Sequence, residues 1–228
     1  MHVGILGGTG PAGGALAVRL ASLGVDVTIG SRSKDRAADI CAEHLATWPG
    51  RELRLSGGDN ETAAAADLVV VATPWDAAAP TAASVAAGLD GKVVICMANA
   101  LVRIGKVFEP LIPPRGSVAS EVQAAVPGAL VAAAYQHLPA RELGNIDGPI
   151  ESDVLICSDH PEAVKATTAL TLRIPGLRPL DAGPLASAMA IEAFTAVLLN
   201  LNVRYKAHTT LRITGAGMPG SDVTPAAP

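Results

Sequence analysis

At 228 residues, half of them hydrophobic and only 17% charged, the chain has enough apolar side chain for one sizeable core, or one core with a small appendage. Aromatic residues are 3% of the total, so the core must be Ala, Val, Leu and Ile, which suits buried parallel strands covered by helices. A net charge of −4 with no basic block argues against a nucleic-acid partner.

Met1 leads directly into an apolar run, so a protein without a signal peptide is expected. Cys41, Cys96 and Cys157 are far apart in apolar settings. They read as buried thiols of a reducing cytoplasm, with no C-x-x-C pair and no His/Cys spacing for a metal.

Residues 2–6 read as the first strand and 11–23 as its helix, with Gly24 as the stop. Between them Gly8, Gly10 and Gly13 fit G-x-G-x-x-G, a pattern that carries meaning when it joins a strand to a helix. In a dinucleotide site Gly8 permits the tight turn, Gly10 lets a pyrophosphate reach the backbone, and Gly13 lets helix and strand pack closely. The N–H groups opening the helix face the anion. Pro11 suits a first helical turn, where its missing N–H has no partner to lose.

A second strand over 25–29 ends at Gly30-Ser31-Arg32-Ser33. An NAD-specific fold places Asp or Glu here for the ribose 2′-hydroxyl. This chain offers the Ser31 hydroxyl, the Arg32 guanidinium and, one helical turn later, Arg36. Such donors suit a 2′-phosphate, which a carboxylate would repel. NADP is therefore expected over NAD.

A helix runs on to about Thr47 and is broken at Trp48-Pro49-Gly50. Residues 53–55 form a weak strand and 60–66 a short helix. A buried strand over 68–72 is followed by Thr73-Pro74-Trp75 at the carboxyl edge of the sheet, where ligands of such folds sit. Trp75 reads as cleft wall or core. Helix 76–87 and strand 93–96 come next. The stretch 97–116, rich in Pro and Gly and holding Arg103, Lys106 and Arg115, is a long connection of the kind that carries function.

Ser117 then N-caps a helix, with Ser120 and Glu121 in its first turn. A strand over 130–135 ends at Gln136-His137-Leu138-Pro139-Ala140, and His137 reads as a structural hydrogen-bonding residue, a cleft lining or a catalyst. Strand 154–157, helix 161–172 and strand 177–181 follow. An Ala-rich helix is expected over 185–205, and within it the run 186–203 approaches membrane-span length, but Glu192, Asn200 and Asn202 favour a buried helix shared with a second subunit. After Gly215 the chain reads as a disordered tail.

Four blocks together resemble a known family: Gly7-Gly8-Thr9-Gly10, Gly30-Ser31-Arg32, Thr73-Pro74-Trp75 and Gly176-Leu177-Arg178-Pro179-Leu180-Asp181-Ala182-Gly183-Pro184-Leu185. The chain is similar over nearly all of 1–215 to the NADPH-dependent reductases of coenzyme F420, an 8-hydroxy-5-deazaflavin. The last block is the specific one. The fold expected is α/β, a Rossmann-type doubly wound parallel sheet with a small C-terminal helical part. Residues 1–181 would bind NADP, 182–215 would close the deazaflavin cleft, and 216–228 would be a flexible tail.

The resemblance implies two carriers lying face to face, with hydride passing between deazaflavin C5 and nicotinamide C4. Carried over by position, Gly8, Thr9, Gly10, Pro11, Ala12, Ser31, Arg32 and Arg36 would hold NADP. Pro74, Ala98, Asn99 and Ala140 would line the nicotinamide and deazaflavin cleft. Some members have His where Gln136 stands, and Pro where Ala100 stands. Gln136 and His137 are left as candidate positioning residues for the deazaflavin. A cytoplasmic homodimer is expected, with no metal, nucleic-acid or membrane partner.

Hydride exchange between two carriers needs alignment and exclusion of water more than an acid or base. Two alternatives stay open. An NADP-dependent 3-hydroxyacid-type dehydrogenase would need a Lys to move the hydroxyl proton, and the helix from Leu185 has none before Lys206. A non-catalytic NADP-binding redox sensor is opposed only by the specific C-terminal block.

Overall fold

The apolar runs become the strands of one sheet. The computed structural model describes residues 1–217. The chain runs β1 (His2–Leu6), α1 (Pro11–Ser22), β2 (Asp26–Ser31), α2 (Lys34–Thr47), β3 (Leu55–Asp59), α3 (Asn60–Ala64), β4 (Leu68–Val71), α4 (Trp75–Ser84), α5 (Ala86–Leu89) and β5 (Val93–Cys96). It continues with β6 (Leu101–Ile104), β7 (Val107–Pro110), α6 (Val118–Ala125), β8 (Leu130–Ala133), α7 (Ala140–Gly144), β9 (Ser152–Ser158), α8 (Pro161–Leu172) and β10 (Leu177–Asp181). A single 3₁₀ turn, Leu185–Ser187, leads into α9 (Ala188–Tyr205). The tail expected over 216–228 lies outside the described residues from Met218 onward.

Eight strands form the sheet in the order β10-β9-β8-β5-β4-β1-β2-β3. Neighbours pair parallel except β8 and β9, so the expected all-parallel winding holds only as far as β8. The strand order reverses between β1 and β4, and at such a switch point a crevice opens beyond the carboxyl ends of the strands.

Alternate side chains of each strand enter two cores, one per face. Val3, Ile5 and Val70 pack with α1, α2, α7 and α8. Leu6, Val69 and Val71 pack with α3, α4, α6 and the start of α9. Burial of this kind on both faces is why the strands read as continuous apolar runs. Gly4 interrupts the first run because α3 lies directly on β1: a Cβ there would come within 1.8 Å of the Ala63 carbonyl oxygen.

Several elements differ from the sequence reading. The weak strand expected at 53–55 lies at Leu55–Asp59. It includes Gly57 and Gly58, poor strand formers needed here because a Cβ on Gly57 would strike Ala37 of α2 at 2.6 Å. The expected helix 76–87 breaks at Val85 into α4 and α5. The long connection 97–116 contains the β6–β7 hairpin, turning at Gly105 with φ +61°. The short α7 has too few residues for a periodic signal. Buried Arg19 of α1 holds it, donating to the carbonyls of Glu142, Leu143, Asn145 and Gly148.

The last helix is fixed by polar contacts. Asn200 accepts from the Phe108 N–H and donates to its carbonyl, both at 2.8 Å. Glu192, buried, accepts from the Val118 and Ala119 N–H groups at 2.8 and 3.2 Å, so a side chain of α9 caps α6. Beyond α9 the chain returns across the β9–β10 edge. There the buried Asp153 carboxylate accepts from Arg178 at 2.8 and 2.6 Å, from Arg212 at 3.1 Å and from the Ile213 N–H at 2.6 Å. Burial pushes the Asp153 carboxyl up, and these donors more than reverse it, holding it below the usual range.

Burial pushes the Glu192 carboxyl up to about 7, against the two N–H donors that favour its charge. A folded pKa above the ordinary 4.5 means that the folded state keeps a proton that the unfolded chain has lost. This contribution to stability is full below about pH 4.5 and is lost as pH rises through about 7, by about 3 kcal/mol at most. Denaturant midpoints compared at about pH 5 and about pH 8 should show the loss in the native protein, and Glu192→Gln should flatten the difference. An identical difference in both proteins would contradict it.

Candidate functional site

At the switch point two clefts meet, and both are lined by Ala72, Thr73 and Pro74. The first, about 720 Å³, runs from the glycine turn past the end of β2 to α4. The second, about 250 Å³, lies between Thr73-Pro74-Trp75, Met97-Ala98-Asn99 and Tyr135-Gln136-Leu138, with Ala12 at its edge.

The first cleft begins where β1 runs into α1. Gly7, not Gly8, carries the left-handed turn, with φ +66°, a conformation open to glycine at little cost. Gly8 is needed for closeness: its N–H donates to the Gly30 carbonyl at 3.0 Å, and a Cβ would meet the Ile5 carbonyl oxygen at 3.0 Å. Gly13 lies 2.9 Å, measured from a Cβ, from both Ala72 and Gly8. Gly10 is different. A Cβ there meets nothing nearer than 3.9 Å and projects into open space. Gly10 is the N-cap of α1 and Pro11 its first residue, so backbone N–H groups without helical partners open onto the same space.

At the far end Ser33 caps α2 by accepting from the Arg36 N–H at 3.3 Å. Ser31, Arg32, Ser33 and Arg36 all line this cleft. Lys34, between the two arginines, is paired with Asp59 at 2.9 Å. Among the described residues neither Arg32 nor Arg36 has a carboxylate in ion-pair reach, so two guanidinium groups border the cleft uncompensated. An anionic ligand would gain charge-assisted bonds from both. Asn60, Thr81 and Ser84 also line it. Sequence reading passed over them because isolated polar residues at helix starts and on helix faces look like ordinary capping and solvation.

Among the described residues, no carboxylate, Lys, Arg or His lines the second cleft. Its one titratable group, the Tyr135 phenol, is pushed well above its ordinary range by burial. Pro74, Ala98 and Asn99 line it, as does Trp75, which is cleft wall. The Asn99 amide donates to the Gln136 carbonyl at 2.6 Å. Gln136 is buried, yet among the described residues both side-chain amide atoms lack a partner, and so does the buried Thr73 hydroxyl. Buried polar atoms left unpaired are costly, and here they belong to residues that line the cleft.

Two expected residues are placed elsewhere. Ala140 opens α7 and packs on the α1 side of the core, away from the lining of either cleft. His137 is buried, and its Nε2 lies 2.7 Å from the Asp153 carbonyl. That oxygen can only accept, so Nε2 carries the hydrogen and Nδ1 a lone pair. Burial lowers its pKa, with the Asp153 contact opposing, and His137 lines neither cleft. Residues 182–215 contribute none of the lining residues of either cleft.

An anion-binding helix start, two uncompensated arginines and an adjoining neutral cleft fit a phosphorylated dinucleotide reaching toward a second flat ligand. The comparisons point the same way. The family model "NADP oxidoreductase coenzyme F420-dependent" matches residues 2–100. The F420-dependent NADP reductase of Methanocaldococcus jannaschii is 36% identical over 220 residues, 94% of this chain and 98% of that protein. Its counterpart from Methanothermobacter marburgensis is 34% identical over 224 residues, again 94% and 98% of the two chains. A crystal structure provisionally described as an F420-dependent NADP reductase of Arthrobacter sp. FB24 superposes with a TM-score of 0.75 at 25% identity, covering 92% of this chain and 98% of that one. The chain belongs to the F420-dependent NADP reductase family.

Proposed function

We propose that this protein exchanges hydride reversibly between NADPH/NADP⁺ and coenzyme F420/F420H2. The observation that carries the reading is the pair of abutting clefts sharing Ala72, Thr73 and Pro74, one ending at free guanidinium groups and the other without an ionisable side chain at neutral pH. When bound, the two carriers supply the redox chemistry, nicotinamide C4 to deazaflavin C5. The protein's task is then to hold, align and keep water out.

In this reading Gly8, Thr9, Gly10, Pro11 and Ala12 form the pyrophosphate turn, with Gly8 acting through close packing. Ser31, Arg32 and Arg36 take the 2′-phosphate. Pro74, Ala98 and Asn99 border the nicotinamide and deazaflavin, and the unpartnered Gln136 amide reads a donor–acceptor edge of the deazaflavin. His137 supports this segment from behind. A 3-hydroxyacid dehydrogenase is not favoured, because α9 turns a carboxylate, Glu192, toward the body and carries no lysine.

We further propose a cytoplasmic homodimer. Met189, Phe194 and Val197 of α9 stand exposed by 44%, 40% and 46%, beside exposed Ile104 and Val107 of the hairpin. An apolar face of this kind suits burial against a second copy. In that arrangement residues 182–215 close the deazaflavin cleft across the interface.

Two measurements test the reading. A charge-assisted bond to the 2′-phosphate is worth about 1.5–3 kcal/mol, so Arg32→Ala should weaken NADPH about 10- to 150-fold and leave NADH nearly unchanged; equal losses would remove the assignment. NADPH deuterated on one C4 face should pass its label directly to the deazaflavin, while label on the other face stays behind. Label lost to solvent, passed from both faces, or no turnover with any deazaflavin would refute hydride exchange in an ordered cleft.

A further inference from the structure

The reader of the second cleft, Gln136, sits in a turn with an unusual neighbour. Tyr135 has φ +67°, a left-handed conformation that a bulky non-glycine residue adopts only where its surroundings enforce it. The Tyr135 ring is buried, and its hydroxyl lies 2.8 Å from Thr171 Oγ1 on α8. The Thr171 hydroxyl donates to the Thr167 carbonyl at 2.7 Å, so the phenol is the donor to Thr171. The Tyr135 carbonyl accepts from the Leu138 N–H at 3.1 Å and closes the turn.

The residue after Gln136 is tied down in the same way. His137 Nε2–H donates to the Asp153 carbonyl of β9 at 2.7 Å. The side chains on both sides of Gln136 are therefore anchored in the protein interior, one to α8 and one to β9. Gln136 between them lines the cleft, and its side-chain amide is buried with no partner among the described residues, while its carbonyl is held by Asn99. A relaxed, extended Tyr135 would redirect the Gln136 backbone and take the amide with it.

We infer that Tyr135 is a positioning residue, whose left-handed backbone, held by the phenol–Thr171 hydrogen bond, aims the Gln136 amide at the deazaflavin. This rests on the functional reading above and extends it to a residue that touches neither carrier through its hydroxyl. The tyrosine acts by raising the fraction of molecules whose Gln136 is ready to bind, and an apparent affinity falls by the factor that this fraction falls.

Tyr135→Phe keeps the ring and its packing and removes only the hydroxyl; Thr171→Val removes the same bond from the other side, and Thr171→Ser restores it. Steady-state kinetics with NADPH and oxidised F420 should show the deazaflavin KM rising about 3- to 10-fold in Tyr135→Phe and Thr171→Val, the factor carried by one neutral hydrogen bond. The NADPH KM should stay near native, and Thr171→Ser should behave as the native protein. In a Gln136→Ala background, Tyr135→Phe should add nothing further, because the two act as one unit. A folded Tyr135→Phe with an unchanged deazaflavin KM, or the same rise in the Gln136→Ala background, overturns the inference and leaves hydride exchange standing. Absence of deazaflavin turnover in the native protein overturns both.

Discussion

The arrangement of the site depends on one close approach, between Gly7 at the end of β1 and Thr73 just beyond β4. A Cβ on Gly7 would lie 2.3 Å from the Thr73 γ-methyl. The two strand ends can touch only because Gly7 has no side chain and takes a left-handed turn that lifts the chain toward α1. That contact brings Ala72, Thr73 and Pro74 under the mouth of the glycine turn, where they serve as a floor common to both clefts. A bulkier residue at position 7 would wedge the strand ends apart and separate the two ligand spaces. Parallel pairing of β1 with β4 supplies the register, and the reversal of strand order supplies the gap.

Much of this was legible in the chain. The fold class follows from apolar runs alternating with helical stretches, and the turn from β1 into α1 from three spaced glycines. The cationic end of the first cleft is written as Ser31-Arg32 in place of an acid. What the sequence concealed has physical reasons. β3 hides because Gly57 and Gly58 answer to the helices packed over them, α2 and α3 respectively, rather than to strand propensity. The antiparallel pairing of β8 with β9 leaves no mark in a strand that is buried on both faces. The assignment of the tight turn to Gly8 failed because two adjacent glycines serve different ends, one conformational and one steric. His137 drew notice as a histidine at a strand end, yet its ring turns inward to β9, and the neighbouring Gln136 lines the second cleft. Asp153 and Arg19 could not be found at all, since a buried charge is identified by its partners, and these lie 25 or more residues away in sequence.

The neutrality of the second cleft has a chemical meaning. An enzyme that must move a hydroxyl proton keeps an acid or base beside the reacting carbon. Here the lining is aliphatic, aromatic, amide and hydroxyl, and the charges of Arg32 and Arg36 lie on the first cleft. In the proposed function, binding energy gathered at those two arginines would be available for orientation elsewhere. The polar groups on this lining, Thr73, Asn99 and Gln136, can form hydrogen bonds but carry no charge, and the residues on either side of Gln136 are anchored in the interior.

A crystal structure of the protein with NADP⁺ and F420 bound together would show whether the two clefts place two carriers against each other across Thr73 and Pro74. Nicotinamide C4 and deazaflavin C5 should then lie about 3–3.5 Å apart, with the Gln136 amide bonded to the deazaflavin and the 2′-phosphate between Arg32 and Arg36. A deazaflavin bound away from the second cleft, or one seated there with the Gln136 amide still unpartnered, would refute this arrangement.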